Sequence, residues 1–202
     1  MTRPSRIERW RGITEAGYAG QIDIVVGALD DDDPVVRELA LGAAERSNSL
    51  SDELLVRSMS DPVPAVRRRA VELAAARRSI DVLPALHDHE PIVVEQAAWT
   101  CGEHEIVRDE VLARLIELAT GAAAPLVREA AVAALGAIGD ERGLVAVLAG
   151  CTDQPAIRRR AVLALAPFSG PEVDAALERA LADRDWQVRQ AAEVLAQVAG
   201  DD

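Results

Sequence analysis

The stretch DPVVRELALGAAE, Asp33–Glu45, decides the fold because the chain copies it five more times. The copies are PAVRRRAVELAAA from Pro64, PIVVEQAAWTCGE from Pro91, PLVREAAVAALGA from Pro125, PAIRRRAVLALAP from Pro155 and DWQVRQAAEVLAQ from Asp185. The basic residue of each phrase serves as a reference: Arg37, Arg67, Glu95 in the odd copy, Arg128, Arg158 and Arg189, spaced by 30, 28, 33, 30 and 31 residues. Just before it stands Val36, Val66, Val94, Val127, Ile157 or Val188, and three places after it stands Ala40, Ala70, Ala98, Ala131, Ala161 or Ala192. At about 100° per residue, the places one before and three, six and seven after share one side of an α-helix, and they are apolar or Gly throughout.

Pro34, Pro64, Pro125 and Pro155 lie three residues before the reference and Pro91 four before, where a first helical turn tolerates a missing N–H. Asp33, Asp61, Asp153 and Asp183 lie just upstream, near a helix N-terminus, where capping and the dipole favour a carboxylate. These signals predict second helices near 34–46, 62–77, 91–102, 125–138, 155–166 and 185–199. Between them lie apolar segments of helix length, such as QIDIVVGALD, DELLVRSMSD, DVLPALHD and VLARLIELAT, each ending at a polar or Gly-containing turn. The period is helix, turn, helix, with no alternation that reads as a strand.

The phrase D-x-x-x-x-V-R-x-x-A-x-x-x-L resembles that of HEAT repeats, in the short variety also called HEAT-like or lyase-type, over roughly residues 15 to 199. The resemblance implies an all-α, right-handed alpha-alpha superhelix of about six helix pairs, with the second helices lining a concave groove. It also implies a ladder between the reference Arg and the turn Asp of neighbouring repeats, which Glu95 breaks. The expected organisation is a basic N-terminal segment over 1–14, carrying Arg3, Arg6, Arg9 and Arg11, followed by one repeat domain over 15–202. Stacking is what buries the apolar face that one helix pair cannot bury alone.

Composition narrows the function. All 22 basic residues are Arg, against 34 Asp and Glu, for a formal net charge of −12. Such a surface repels phosphate, so nucleic acid is not the expected partner. No apolar run is long enough to span a bilayer, and no signal peptide is visible. The expectation is a cytoplasmic protein with no membrane partner, its two cysteines reduced. Only three Trp, one Tyr and one Phe are present, whereas HEAT-like DNA glycosylases use a cationic, aromatic groove. Phycobilin lyase subunits resemble this chain in scaffold alone.

The segment HDHEPIVVEQAAWTCGEHE, His87–Glu105, holds all three histidines and Cys101. A helix rises roughly 18 Å between positions 89 and 101, and zinc holds its ligands at about 2 Å. His87 and His89 therefore cannot share an ion with Cys101 and His104, although either half could bind one weakly. Deoxyhypusine hydroxylases, HEAT-like enzymes, hold iron with His-Glu pairs at helix starts. The matching places here read Arg37-Glu38, Arg67-Arg68, Glu95-Gln96, Arg128-Glu129, Arg158-Arg159 and Arg189-Gln190, so no metal, cofactor or catalytic residue is assigned.

What remains is the face opposite the buried stripe, one, five and eight places after the reference. Its candidate binding residues are Arg68, Arg69, Gln96, Trp99, Glu129, Arg159, Arg160 and Gln190, whose guanidinium groups suit carboxylates of an acidic or mixed-charge protein partner. The expected function is a non-enzymatic scaffold or adaptor binding a protein in the groove. The alternatives are an accessory subunit or metal-dependent enzyme of the lyase/hydroxylase HEAT-like type, and a nucleic-acid-binding protein of the same fold. Trp186 is expected to cover the exposed end of the last repeat.

Overall fold

The computed structural model describes residues 5–105 and 108–200. They form twelve α-helices and three short 3-10 turns, and no strand occurs among the described residues. The fold class is all-helical, of the HEAT-like solenoid kind. The chain divides into two compact units, one ending at Asp81 and the other beginning at Val82.

In the N-terminal unit, α1 (Arg6–Tyr18) precedes two helix pairs, α2 (Ile22–Gly27) with α3 (Pro34–Arg46), and α4 (Asp52–Ser58) with α5 (Pro64–Ala74). Ser5 opens α1 with a reciprocal capping box: its hydroxyl accepts from the Glu8 amide, while the Glu8 carboxylate accepts from the Ser5 amide. From Arg6 onward the basic start is helical and packs on α3, while Arg3 lies outside the described residues. Close approach is possible because Gly17 has no side chain; a Cβ there would stand 2.7 Å from that of Ala43.

The C-terminal unit holds four second helices, α6 (Pro91–His104), α8 (Pro125–Ile138), α10 (Pro155–Ala164) and α12 (Trp186–Gly200). Their first members are a 3-10 turn at Leu83–His87, then α7 (Asp109–Gly121), α9 (Leu144–Gly150) and α11 (Pro171–Leu181). The exception at Leu83–His87 departs from the helix the sequence suggested. The element is only five residues long, ending at extended Asp88, and so short a piece closes in the tighter geometry.

The Pro residues open their helices at the first position, as their missing N–H allows. That shortens the segment expected from 62, because Val63, preceding Pro64, is held extended as the N-cap. Likewise α10 stops at Ala164, ahead of Pro167, while α6 runs on to His104 and ends on Glu105 in the left-handed region at φ 49°. The reference residues share one phase: the valines and isoleucine before them and the alanines three after them are all buried. A core of Ala, Val and Leu needs closely spaced helices, and Gly136 marks the tightest approach. A Cβ on it would stand 2.5 Å from the Ala164 Cβ.

The ladder implied by the resemblance is present, with a fuller geometry. Each reference Arg donates through Nη1 to a carbonyl of its own turn: Arg37 to Asp31, Arg67 to Asp61, Arg128 to Ala122, Arg158 to Asp153 and Arg189 to Asp183. Arg37, Arg128 and Arg158 also grip the Asp of the next turn, Arg37–Asp61 and Arg128–Asp153 at 2.7 Å and Arg158–Asp183 at 2.8 Å. Arg6 and Arg9 start the series on Asp33 and Asp31. The Asp side chains also accept a nearby turn amide, Asp61 from Val63, Asp153 from Gln154 and Asp183 from Asp185. Of the four upstream aspartates only Asp33 is itself the N-cap; the others steady the turn before it. No helix is long and apolar enough to cross a membrane among the described residues.

Candidate functional site

The wetted face differs from the wheel expectation. One place after the reference, Glu38, Arg68, Gln96, Glu129 and Arg159 are half-buried and only Gln190 is exposed. Five places after, Gly42 and Thr100 are buried. Neighbouring second helices pack side by side, so the space beside each helix is taken by the next one's side chains. The Arg69 guanidinium over Gly42 is the clear instance.

In the N-terminal unit, Arg68 and Arg69 line a cleft of about 520 Å³ together with Tyr18, Gly42, Arg46 and Glu72. Glu72 holds both arginines, Arg68 at 3.3 Å and Arg69 at 2.8 Å, and Glu38 stands 3.6 Å from Arg68. Arg46 lies over the Tyr18 ring, 5.1 Å from its centre. Arg46 and Tyr18 were not foreseen, because neither occupies a position that recurs in the other copies.

In the C-terminal unit, Trp99, Glu129 and Arg160 come together. The Arg160 guanidinium sits 5.1 Å above the Trp99 ring, and its Nε is 3.7 Å from Glu129 Oε1, beyond hydrogen-bond reach. Trp99 and Arg160 line a cleft of about 310 Å³ whose other walls include Gly136, Leu163 and Pro167. Trp99 is half-buried, so the ring both packs and presents a face. Gln96, Arg159 and Gln190 do not line either cleft. Trp186 is 61% exposed, so it is not the end cover expected of it; as the first residue of α12 it projects from the turn instead of lying along the buried stripe.

The histidine-rich segment divides by burial. His87 and His89 are exposed, with His89 lying 3.5 Å from Asp88 and 3.8 Å from Glu90, whereas Cys101 and His104 are buried in α6. Among the described residues no three His, Cys, Asp or Glu side chains converge in a way that could hold a metal ion. At the places where His-Glu pairs would be needed for iron, Arg37, Arg128 and Arg158 are already committed to Asp61, Asp153 and Asp183. These residues do not fit a metal. Burial pushes the Cys151 thiol up to about 11, which removes it as a nucleophile near neutral pH.

A family model described as HEAT repeats matches residues 81–155. No curated protein matches the chain. Among solved structures, human deoxyhypusine hydroxylase in complex with glycerol is similar, with a TM-score of 0.50 and 20% identity, over 98% of this chain and 81% of that one. That likeness corrects two expectations drawn from the sequence, a non-enzymatic scaffold and the absence of enzymatic function. That fold carries an enzyme in the human protein, so a repeated helical architecture does not by itself argue against catalysis.

Proposed function

We propose that this chain, whose residues 81–155 match a HEAT-repeat family model, serves enzymatic modification, as the substrate-holding subunit of a lyase- or hydroxylase-type enzyme. The observation that carries this reading is the correspondence of 98% of the chain with human deoxyhypusine hydroxylase. The side chains narrow the form it takes. Since the described residues do not fit a metal, no metal-centred step is assigned to them, and their contribution is to bind and orient. Trp99 with Arg160 offers a flat face beside a cation, and Arg68 with Arg69 offers paired guanidinium groups; both suit a protein substrate bearing carboxylates. The formal charge of −12 disfavours nucleic acid as substrate. Cys101 and Cys151, which form no disulfide, accord with a reducing, cytoplasmic setting.

The test compares source cells with and without the chain by whole-protein mass spectrometry. The reading expects a protein whose single-oxygen increment or covalent adduct disappears on deletion and returns when purified chain is added to the deleted-cell lysate. An unchanged set of modifications in both samples refutes it.

A further inference from the structure

We propose that the cleft over Gly42 in the N-terminal unit is a carboxylate-binding site that takes an acidic peptide segment. The proposal rests on this unit alone and stands whether or not the enzymatic reading holds.

Three guanidinium groups face two carboxylates in this cleft. Glu72 and Glu38 engage Arg68, and Glu72 also engages Arg69, while Arg46 has no carboxylate partner among the described residues. Arg46 is instead steadied on the face of Tyr18, itself 78% exposed. The free ends of Arg69 and Arg46 converge on one spot. Arg69 Nη2 and Arg46 Nη1 stand 3.1 and 3.4 Å from where a Cβ of residue 42 would lie, so the backbone of a glycine forms the floor beneath them. Arg46 and Arg69 both line the cleft, and a planar guanidinium group suits a carboxylate.

The surplus is one positive charge within a chain of net charge −12. A monoanion neutralises it. A phosphate dianion would instead add a second negative charge beside Glu38 and Glu72 and meet stronger repulsion from the whole molecule. The arrangement also belongs to this copy alone: nine places after the reference the other copies have Ala76, His104, Ala137, Pro167 and Val198 where this one has Arg46. A cleft of about 520 Å³ has room for more than one side chain, which favours a peptide over a single small acid.

The experiment titrates the full chain with an N-acetylated tetraglutamate amide and, separately, with the tetraglutamine peptide and with inorganic phosphate, following ¹⁵N shifts of the Gly42 amide and of the Arg46 and Arg69 side chains. The glutamate peptide should move these resonances and lose affinity as salt is raised. Arg46→Gln should weaken it about tenfold. Gly42→Ala should also weaken it, by pushing the two guanidinium ends apart, while leaving the unfolding midpoint nearly unchanged. Arg142→Gln, in the other unit, should leave binding as it was. Still resonances at Gly42, equal affinity in Arg46→Gln, equal binding of tetraglutamine, or phosphate binding at least as tightly as the glutamate peptide would each overturn the assignment.

Discussion

Two boundaries within the C-terminal unit are built differently. Between α8 and α10, and again between α10 and α12, an arginine joins its own turn to the aspartate of the next: Arg128 to Asp153 and Arg158 to Asp183. Between α6 and α8 the reference residue is Glu95, and the turn position that holds Asp61 or Asp183 elsewhere is Ala122. Both halves of the rung are absent together, in a pair of helices that still pack closely. A Cβ on Gly102 would stand 3.2 Å from the Ala134 Cα. Apolar stacking therefore suffices to join neighbours, and the rung adds direction, fixing how far one turn is displaced against the next.

Breaking a rung should have the largest effect. Arg158 has a side chain only 9% exposed and Asp183 one only 15% exposed, so Arg158→Ala strands a nearly buried carboxylate. The expected loss is about 3 kcal/mol in urea unfolding. Removing the exposed Arg142, which pairs with Asp109 and Asp140, should leave the midpoint unchanged within error. A loss at Arg158 no larger than at Arg142 would mean that the rung only decorates the packing.

The packing half of the comparison is tested at Gly136. Its added methyl meets the Ala164 backbone at 2.6 Å, and Gly136→Ala should cost about 2 kcal/mol by overpacking. The same change at Gly12, where nothing lies within 4 Å of the new atom, should raise the thermal midpoint slightly through helix propensity.

Acid sharpens the comparison more gently. Hydrogen bonds from Arg128 and Arg158 hold Asp153 and Asp183 below the ordinary carboxylate range. At Asp61 burial pushes upward, yet the hydrogen bonds from Arg37 and Val63 prevail and its pKa is lowered. A carboxylate depressed in the folded state contributes stability above its unfolded pKa of about 3.9 and loses it as pH falls through the folded value. Unfolding midpoints should therefore be level down to about pH 5 and decline below about pH 4. In Arg158→Met the decline attributable to Asp183 should shrink, the Asp185 amide and Arg184 still favouring the carboxylate, and a curve parallel to wild type would count against the rung as its main source.

The phase of the second helices was legible because Val or Ile before the reference and Ala three after it recur without drift, and Pro34 and Pro125 marked their helix starts to the residue. The 3-10 turn was not, since nothing in DVLPALHD shows that the helical stretch spans only five residues before Asp88 turns extended. Of the candidate face, only the placement of some side chains was legible. Arg68 and Arg69 do line a cleft, and Trp99, Glu129 and Arg160 do meet, but a single-helix wheel cannot show that a neighbour's arginine covers Gly42. Arg46 and Tyr18 escaped because a repeat pattern draws attention to what recurs. The loss of Asp at Ala122 was visible in the sequence once Glu95 had been noticed, and its meaning needed the paired geometry of the other rungs.

The account turns on the rung as a two-part device missing as a unit between α6 and α8. A double-mutant cycle on Glu95→Arg and Ala122→Asp, read by hydrogen-exchange protection of the α6 and α8 amides, tests it directly. The pair should be stabilised by about 1 kcal/mol beyond the sum of the single changes. Single changes that simply add would contradict the claim that one guanidinium and one carboxylate lock adjacent turns together.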